Sequence, residues 1–178
     1  MKKYLYFIFI LGCNDSTNPI TKEPTNEWDL EGWNLIWNDE FNDSKIDDKK
    51  WSYEIGGHGW GNNELQYYSD KDSTAFIRDG KLVLRADIVP QGTGSSDNLR
   101  YFSSARLRTS GKGDWLYGRV EVKAKIALGQ GIWPAIWMLP TDWMYGGWPK
   151  SGEIDIMEHV GYDPGVVHGS VHLSLIHI

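Results

Sequence analysis

Three carboxylates fall within six residues at Glu153-Ile154-Asp155-Ile156-Met157-Glu158, a run otherwise made of isoleucine and methionine. Charge in such a stretch is costly to fold unless it is used. On a regular strand Glu153 and Asp155 share a face, but Glu158, five residues after Glu153, points the other way. A one-residue bulge near Ile156 or Met157 would restore the parity, and bulges concentrate beside active sites. The run therefore demands a bulge or wastes an acid. With the bulge, the glutamates are effectively four steps apart, about 13 Å along the strand at about 3.3 Å per step. Long side chains leaning together would bring their carboxyls to roughly 5–6 Å, the spacing of a retaining glycosidase. In that chemistry Glu153 attacks the anomeric carbon, while Glu158 protonates the leaving oxygen and later deprotonates water. Asp155 tunes both, and hydrogen bonding is expected to keep Glu153 ionised beside it. On spacing alone, a solvated acidic strand or a cation site fits the same residues.

Aromatic side chains could hold a sugar chain against those acids. Trp133 and Trp137 lie four apart in an expected strand, on one face, where both indoles could present flat apolar surfaces to successive parts of a sugar chain. Core packing is the alternative use of such residues. Trp143 and Trp148 sit in the Gly- and Pro-containing loop just before the acidic run, and Trp60 sits in another Gly-rich loop. Loop aromatics of this kind can line a cleft. Zinc is not expected, because His168 and His172 are four apart in an expected strand, about 13 Å, whereas chelation at that spacing needs a helix. Gly57-His58-Gly59-Trp60-Gly61 neither follows a clear buried strand nor opens a helix, so it is not read as a nucleotide loop.

Elements able to position these residues show a period of two rather than 3.6. Over residues 118–126, Val120, Val122, Ala124 and Ile126 alternate with Arg119, Glu121, Lys123 and Lys125. Residues 81–86 repeat the pattern, and the preceding Asp79-Gly80 has the two-residue chemistry of a tight hairpin with positive φ. Further strands are expected at 35–39, 102–109, 133–139, 152–158 and 166–173, with loops at 56–63, 91–98 and 141–151. Many short strands joined by Gly-, Asn-, Ser- and Pro-rich segments predict an all-β chain, an antiparallel β-sandwich or jelly roll.

The chain has 178 residues, enough for one domain with a real core, and carries 20 Gly and ten Trp with a net charge of −6. A pI near 5.3 and no basic run beyond the first three residues argue against nucleic acid as a partner. At the N-terminus Lys2 and Lys3 precede an apolar stretch, residues 4–12, too short to span a bilayer and arranged like a signal peptide. Ile10-Leu11-Gly12-Cys13 is similar to the bacterial lipobox, which makes Cys13 the expected lipidated first residue of the mature chain. A single cysteine cannot close an internal disulfide, and an ordinary secretory signal is the alternative. The expected organisation is a signal peptide at 1–12, a polar tether at 13–32 and a folded domain at 33–178. The product is exported, lipid-anchored in the cell envelope or secreted.

The acidic run resembles the signature of glycoside hydrolase family 16. Upstream blocks support the resemblance in the expected order: Trp37-Asn38-Asp39-Glu40-Phe41, Gly61-Asn62-Asn63-Glu64-Leu65-Gln66-Tyr67-Tyr68, Asp79-Gly80-Lys81-Leu82, and Gly131-Ile132-Trp133-Pro134-Ala135-Ile136-Trp137-Met138-Leu139-Pro140. The resemblance runs from about residue 33 to 172. It implies a jelly roll of two antiparallel sheets whose concave face cradles a polysaccharide, with Glu153 as nucleophile, Asp155 as assistant and Glu158 as acid/base. The extra residue before the last glutamate is similar to the endo-β-1,3-glucanases, or laminarinases. That implies laminarin-type or mixed-linkage β-glucan as substrate. Relatives acting on sulfated marine galactans, agarase- or carrageenase-like, share the bulged form.

The resemblance also implies that Asn63 and Arg106 line the cleft, with Asn62 or Arg108 as the alternatives. His172, on the strand beside the acids, would bond substrate or Glu158, and Trp133, Trp137 and Trp148 would contact sugar. It implies no cofactor for the reaction, no catalytic metal and a monomer, with the membrane reached only through the N-terminal lipid. A structural calcium ion in the complete domain would use Glu40 and the carbonyl of Gly80. Two rival readings are a non-catalytic β-glucan-binding protein on the same scaffold and a surface adhesion module. The family fold continues beyond residue 178, so the chain is expected to be a fragment, poorly folded or inactive if expressed alone, and residues 173–178 depart from the resemblance.

Overall fold

The computed structural model describes residues 8–13 and 32–174, with the side chains of 8–13 excepted. Residues 1–7 of the expected signal peptide, residues 14–31 of the tether expected at 13–32, and the last four residues lie outside the described residues. So does the Cys13 side chain, on which lipidation depends. The chain divides into two compact units, residues 1–125 and 126–178. Regular structure among the described residues is strand, apart from one 3-10 turn at Ser96–Asn98.

In the first unit, β1 (Ile8–Cys13) lies between β2 (Trp33–Asp39) and β10 (Arg119–Glu121), antiparallel to both. The pair β3 (Ser52–Glu54) and β9 (Arg106–Arg108) is antiparallel, as is the hairpin β5 (Ala75–Ile77) to β6 (Leu82–Leu84). Asp79 and Gly80 turn that hairpin with φ of +53° and +63°, the two positive values that a tight turn between right-twisted strands requires. A third sheet sets β8 (Arg100–Ser104) between β7 (Asp87–Thr93) and β4 (Gln66–Tyr68), and the β4–β8 pairing is parallel, a departure from the antiparallel expectation. The run expected as one strand at 102–109 is two, β8 and β9, broken at the buried Ala105, each half pairing in a different sheet.

The core of this unit is Phe41, Trp51 and Leu82, with Trp37, Ile46, Ile77, Leu84 and Leu107 packed against it. Trp37 meets Trp51 and Trp115 edge-on at 5.6 and 5.5 Å between centroids. Several tryptophans are therefore structural, each ring filling volume that smaller side chains would leave empty. Asp39 is buried among them and accepts the Trp51 indole N–H (2.8 Å) and the Phe41 amide (3.0 Å), with Lys50 at 3.6 Å.

The second unit is one three-stranded antiparallel sheet, in the order β11 (Ala135–Met138), β12 (Glu153–Glu158), β13 (His168–His172). β12 is central, so both its edges are paired and its side chains are fixed by two neighbours. Gly152, at φ +86°, turns the preceding loop into it, a conformation that β-carbon sterics disfavour for other residues.

Candidate active site

The bulge demanded by the acidic run is present. Along β13, Glu153 pairs with His172, Asp155 with Ser170 and Glu158 with His168: three residues of β12 against two of β13 over the last interval. Along β11, Ile136 pairs with Met157 and Trp137 with Asp155, which leaves Ile156 as the extra residue on that side. His168, Ser170 and His172 alternate and so share one face, and residues directly opposite in a ladder share a face too. Glu153, Asp155 and Glu158 therefore stand on the same side of the sheet. Ile154, paired with Met138 and Val171, and Met157, paired with Ile136, take the other.

Each acid meets one aromatic nitrogen. Trp148 donates its indole N–H to Glu153 Oε2 at 2.5 Å, Trp133 donates to Glu158 Oε1 at 2.9 Å, and the His172 Nε2–H donates to Asp155 Oδ2 at 2.9 Å. Trp133 was expected to offer a stacking face and Trp148 to line the cleft; in the structure each also directs its N–H edge at a carboxylate. His172 was expected to reach substrate or Glu158, but its partner is Asp155. The short Asp155 side chain lies one alternate position along from the Glu153–His172 rung, within reach of the imidazole. The Trp148 and His172 rings stand 5.9 Å apart. Trp148 is held by its loop, where Ser151 Oγ accepts the Tyr145 amide (3.1 Å) and donates to the Gly146 carbonyl (2.6 Å). Trp137 is half-buried and opposite Asp155 in the ladder. Trp143, in the same loop as Trp148, gives its carbonyl to the Gly146 amide (2.8 Å).

Burial pushes the Glu153 carboxyl up from its ordinary range; the Trp148 N–H pulls it back, the Asp155 charge and a hydrogen bond to Asp155 raise it, and His172 lowers it. The hydrogen bond expected to favour the ionised form of Glu153 is the one from the Trp148 indole, and it works against desolvation, which is the largest influence. Asp155 is 5% exposed, and with Glu153 and His172 it places three ligand atoms within 4.8 Å of one another. That set could take a cation, although two of the groups already share a hydrogen bond. For the implied calcium ion, Glu40 accepts from the Asn38 amide (3.4 Å), and Asn42 Oδ1 lies 3.8 Å from where a β-carbon on Gly80 would stand. These are hard oxygen donors of the class calcium takes, and no part of the chemistry at the acids depends on them.

The remaining sequence candidates belong to the first unit. Arg106 is ion-paired through Nε with Glu54, and its guanidinium lies 4.6 Å from the Trp60 ring centroid. Arg108 bonds the other oxygen of Glu54 at 3.0 Å. Trp60 is fixed by its own N–H to the Gly56 carbonyl (3.1 Å) and by Tyr68, edge-on at 5.6 Å. Asn63, with φ +55°, lines an open cavity of about 420 Å³ together with His58, Glu64, Leu65, Arg100 and Tyr101. Arg106 does not line that cavity. Asn62 is exposed, its amide bonded to the Gly59 carbonyl at 2.9 Å.

Residues 59–174 match the model of Glycosyl hydrolases family 16. The chain is 51% identical over 144 residues to the beta-glucanase of Rhodothermus marinus, covering 79% of this chain and 48% of that protein. The X-ray structure of the laminarinase from Rhodothermus marinus superposes with a TM-score of 0.72 at 48% identity, over 79% of this chain and 55% of that one. The catalytic domain of an endo-1,3-beta-glucanase (laminarinase) from Thermotoga petrophila RKU-1 gives 0.74 at 43% identity, over 82% and 58%. The expectation of an all-β jelly roll is borne out by these likenesses. The chain spans about half the length of the Rhodothermus marinus beta-glucanase.

Proposed function

The chain belongs to glycosyl hydrolase family 16, and on that premise we propose that it carries the catalytic machinery of a retaining endo-β-1,3-glucanase, acting on laminarin-type or mixed-linkage β-glucan. One observation carries the reading: the bulge in β12 sets Glu153, Asp155 and Glu158 on one face of a sheet strand paired on both edges. Glu153 attacks the anomeric carbon while Glu158, beside Trp133, gives its proton to the departing glycosidic oxygen. A covalent α-linked glycosyl-enzyme results. Glu158 then takes a proton from the water that displaces Glu153, and the β-configuration returns. Asp155, tied to His172, holds the ground between them. The names of the relatives, a beta-glucanase, a laminarinase and an endo-1,3-beta-glucanase, support the choice of glucan over galactan.

We also propose that the protein is exported, either anchored through Cys13 or secreted, with residues 8–12 of β1 belonging to the precursor chain. Its support is the order Lys2-Lys3, apolar residues 4–12, then Cys13.

The test is product formation by the full protein on laminarin, lichenan, agarose and carrageenan, alongside Glu153→Gln. Reducing ends are expected from laminarin first, with the β-anomer formed initially by proton NMR. Glu153→Gln should abolish hydrolysis and keep oligosaccharide binding. A glucan-binding protein would show binding with no hydrolysis to lose, and an initial α-anomer would reject the retaining assignment.

A further inference from the structure

We propose that His159 is a positioning residue, a staple that fixes the backbone on which Glu158 rides. This rests on the hydrolase reading above. His159 follows Glu158 directly and is only 2% exposed. Its Nδ1 meets the Val166 carbonyl at 2.8 Å, and since a carbonyl only accepts, Nδ1 carries the proton. Its Nε2 is buried with no hydrogen-bond partner among the described residues. An unpartnered nitrogen at that depth is unfavourable, so the ring is held there by one polar bond, the one to Val166.

That bond joins two points that matter. Beyond the bulge, the Glu158–His168 rung is the last that ties β12 to β13. The connecting residues 160–167 are exposed or half-buried, and turn through Asp163 N–H to the Val160 carbonyl (3.0 Å) and a long Val166 N–H to the Asp163 carbonyl (3.4 Å). His159 closes this loop from the residue after Glu158 to the residue two before His168. On the β11 side, the His159 amide bonds the Pro134 carbonyl (3.1 Å) and the Gly161 amide bonds the Ile132 carbonyl (2.8 Å). Those bonds bracket Trp133, whose indole holds the Glu158 carboxyl. The staple therefore fixes both the backbone of Glu158 and the segment bearing its hydrogen-bond donor, and touches no substrate itself.

Misplacing a proton donor by an ångström slows its step steeply, and the penalty depends on the leaving group. Laminarin oligosaccharides need a proton on departure, whereas a dinitrophenyl β-laminaribioside does not. In the full protein, His159→Leu should lower kcat/KM on laminarin about 10- to 100-fold and on the aryl glycoside by less than about threefold. His159→Asn, whose Nδ2 takes the place of Nδ1, should restore most of the laminarin rate. His159→Gln, whose amide extends to the Nε2 position, should not, and it carries the same prediction as leucine if the leucine variant does not fold. Equal losses on both substrates, or no rescue by asparagine, would overturn the staple while leaving the hydrolase reading intact. A wild-type protein inactive on both substrates would remove the reading on which both rest.

Discussion

Replacing Trp148 by phenylalanine isolates one hydrogen bond to the attacking carboxylate. The indole N–H reaches Glu153 Oε2 at 2.5 Å, and a hydrogen bond to a charged group contributes about 1.5–3 kcal/mol. Trp148 is 59% exposed, so water replaces the lost donor and the net contribution falls below that range, to about 1 kcal/mol, exerted on the ionised carboxylate before attack rather than on the transition state, where its charge is being lost. The pH dependence supplies the signature. Burial raises the Glu153 carboxyl and the indole pulls it down, so removing the indole lets it rise further. The nucleophile must be ionised, and the acid limb of kcat/KM against pH on laminarin therefore moves to higher pH. The plateau above that limb should hold or rise, because a carboxylate relieved of one hydrogen bond is the stronger nucleophile. Phenylalanine keeps a ring for the sugar, which confines the change to chemistry more than to KM. The control is Trp133→Phe, which removes the 2.9 Å bond to Glu158 and should leave the acid limb in place. An unmoved acid limb in Trp148→Phe, or a fall of the plateau with no movement of the limb, would refute the idea that the indole tunes Glu153.

Three other outcomes are expected. Because the folded state raises Glu153 above its unfolded value, it holds the proton more tightly than the unfolded chain, and stability from this group is present at low pH and lost as pH rises through the folded value; Glu153→Gln should raise Tm at neutral pH more than at acid pH in thermal melts. Glu158→Ala should cost about 10²- to 10⁴-fold on laminarin, and azide added with an activated aryl glycoside should speed turnover and give the β-glycosyl azide by NMR. At Gly161 an added β-carbon would lie 1.7 Å from the Gly129 carbonyl oxygen, backbone against backbone with no side chain to move aside, so Gly161→Ala should destabilise by about 2 kcal/mol or more in urea melts.

Parity made the most consequential feature readable. Five residues separate Glu153 from Glu158, and only an irregular strand puts both on one face, so the bulge at Ile156 followed from side-chain alternation. Asp79-Gly80 was equally legible, since few residues accept the positive φ found at both positions. What alternation does not encode is which neighbour a strand takes. The run at 102–109 carries no Gly, Pro, Asn or Asp that would divide it, yet β8 and β9 pair in different sheets. The longest alternating run, 118–126, is strand over Arg119–Glu121, with a single bridge at Ala124. The loop expected at 91–98 overlaps the end of β7, whose register shifts between Ile88 and Thr93, with Gly92 at φ +80°. At the site, sequence located the acids but not the edge-on use of Trp133 and Trp148, because residue type gives a ring without its orientation. Nothing in the local pattern marked His159, whose significance lies in burial and in a carbonyl seven residues away.

The extra residue in β12 makes the spacing of the two glutamates unevenly tolerant of length change. Removing one residue between Asp155 and Glu158 would leave a regular strand with the carboxylates still facing together, whereas adding one would either keep the bulge and throw the proton donor to the opposite side or absorb the bulge into a regular strand that carries the two acids two steps further apart. Insertions there are barred in a way that deletions are not.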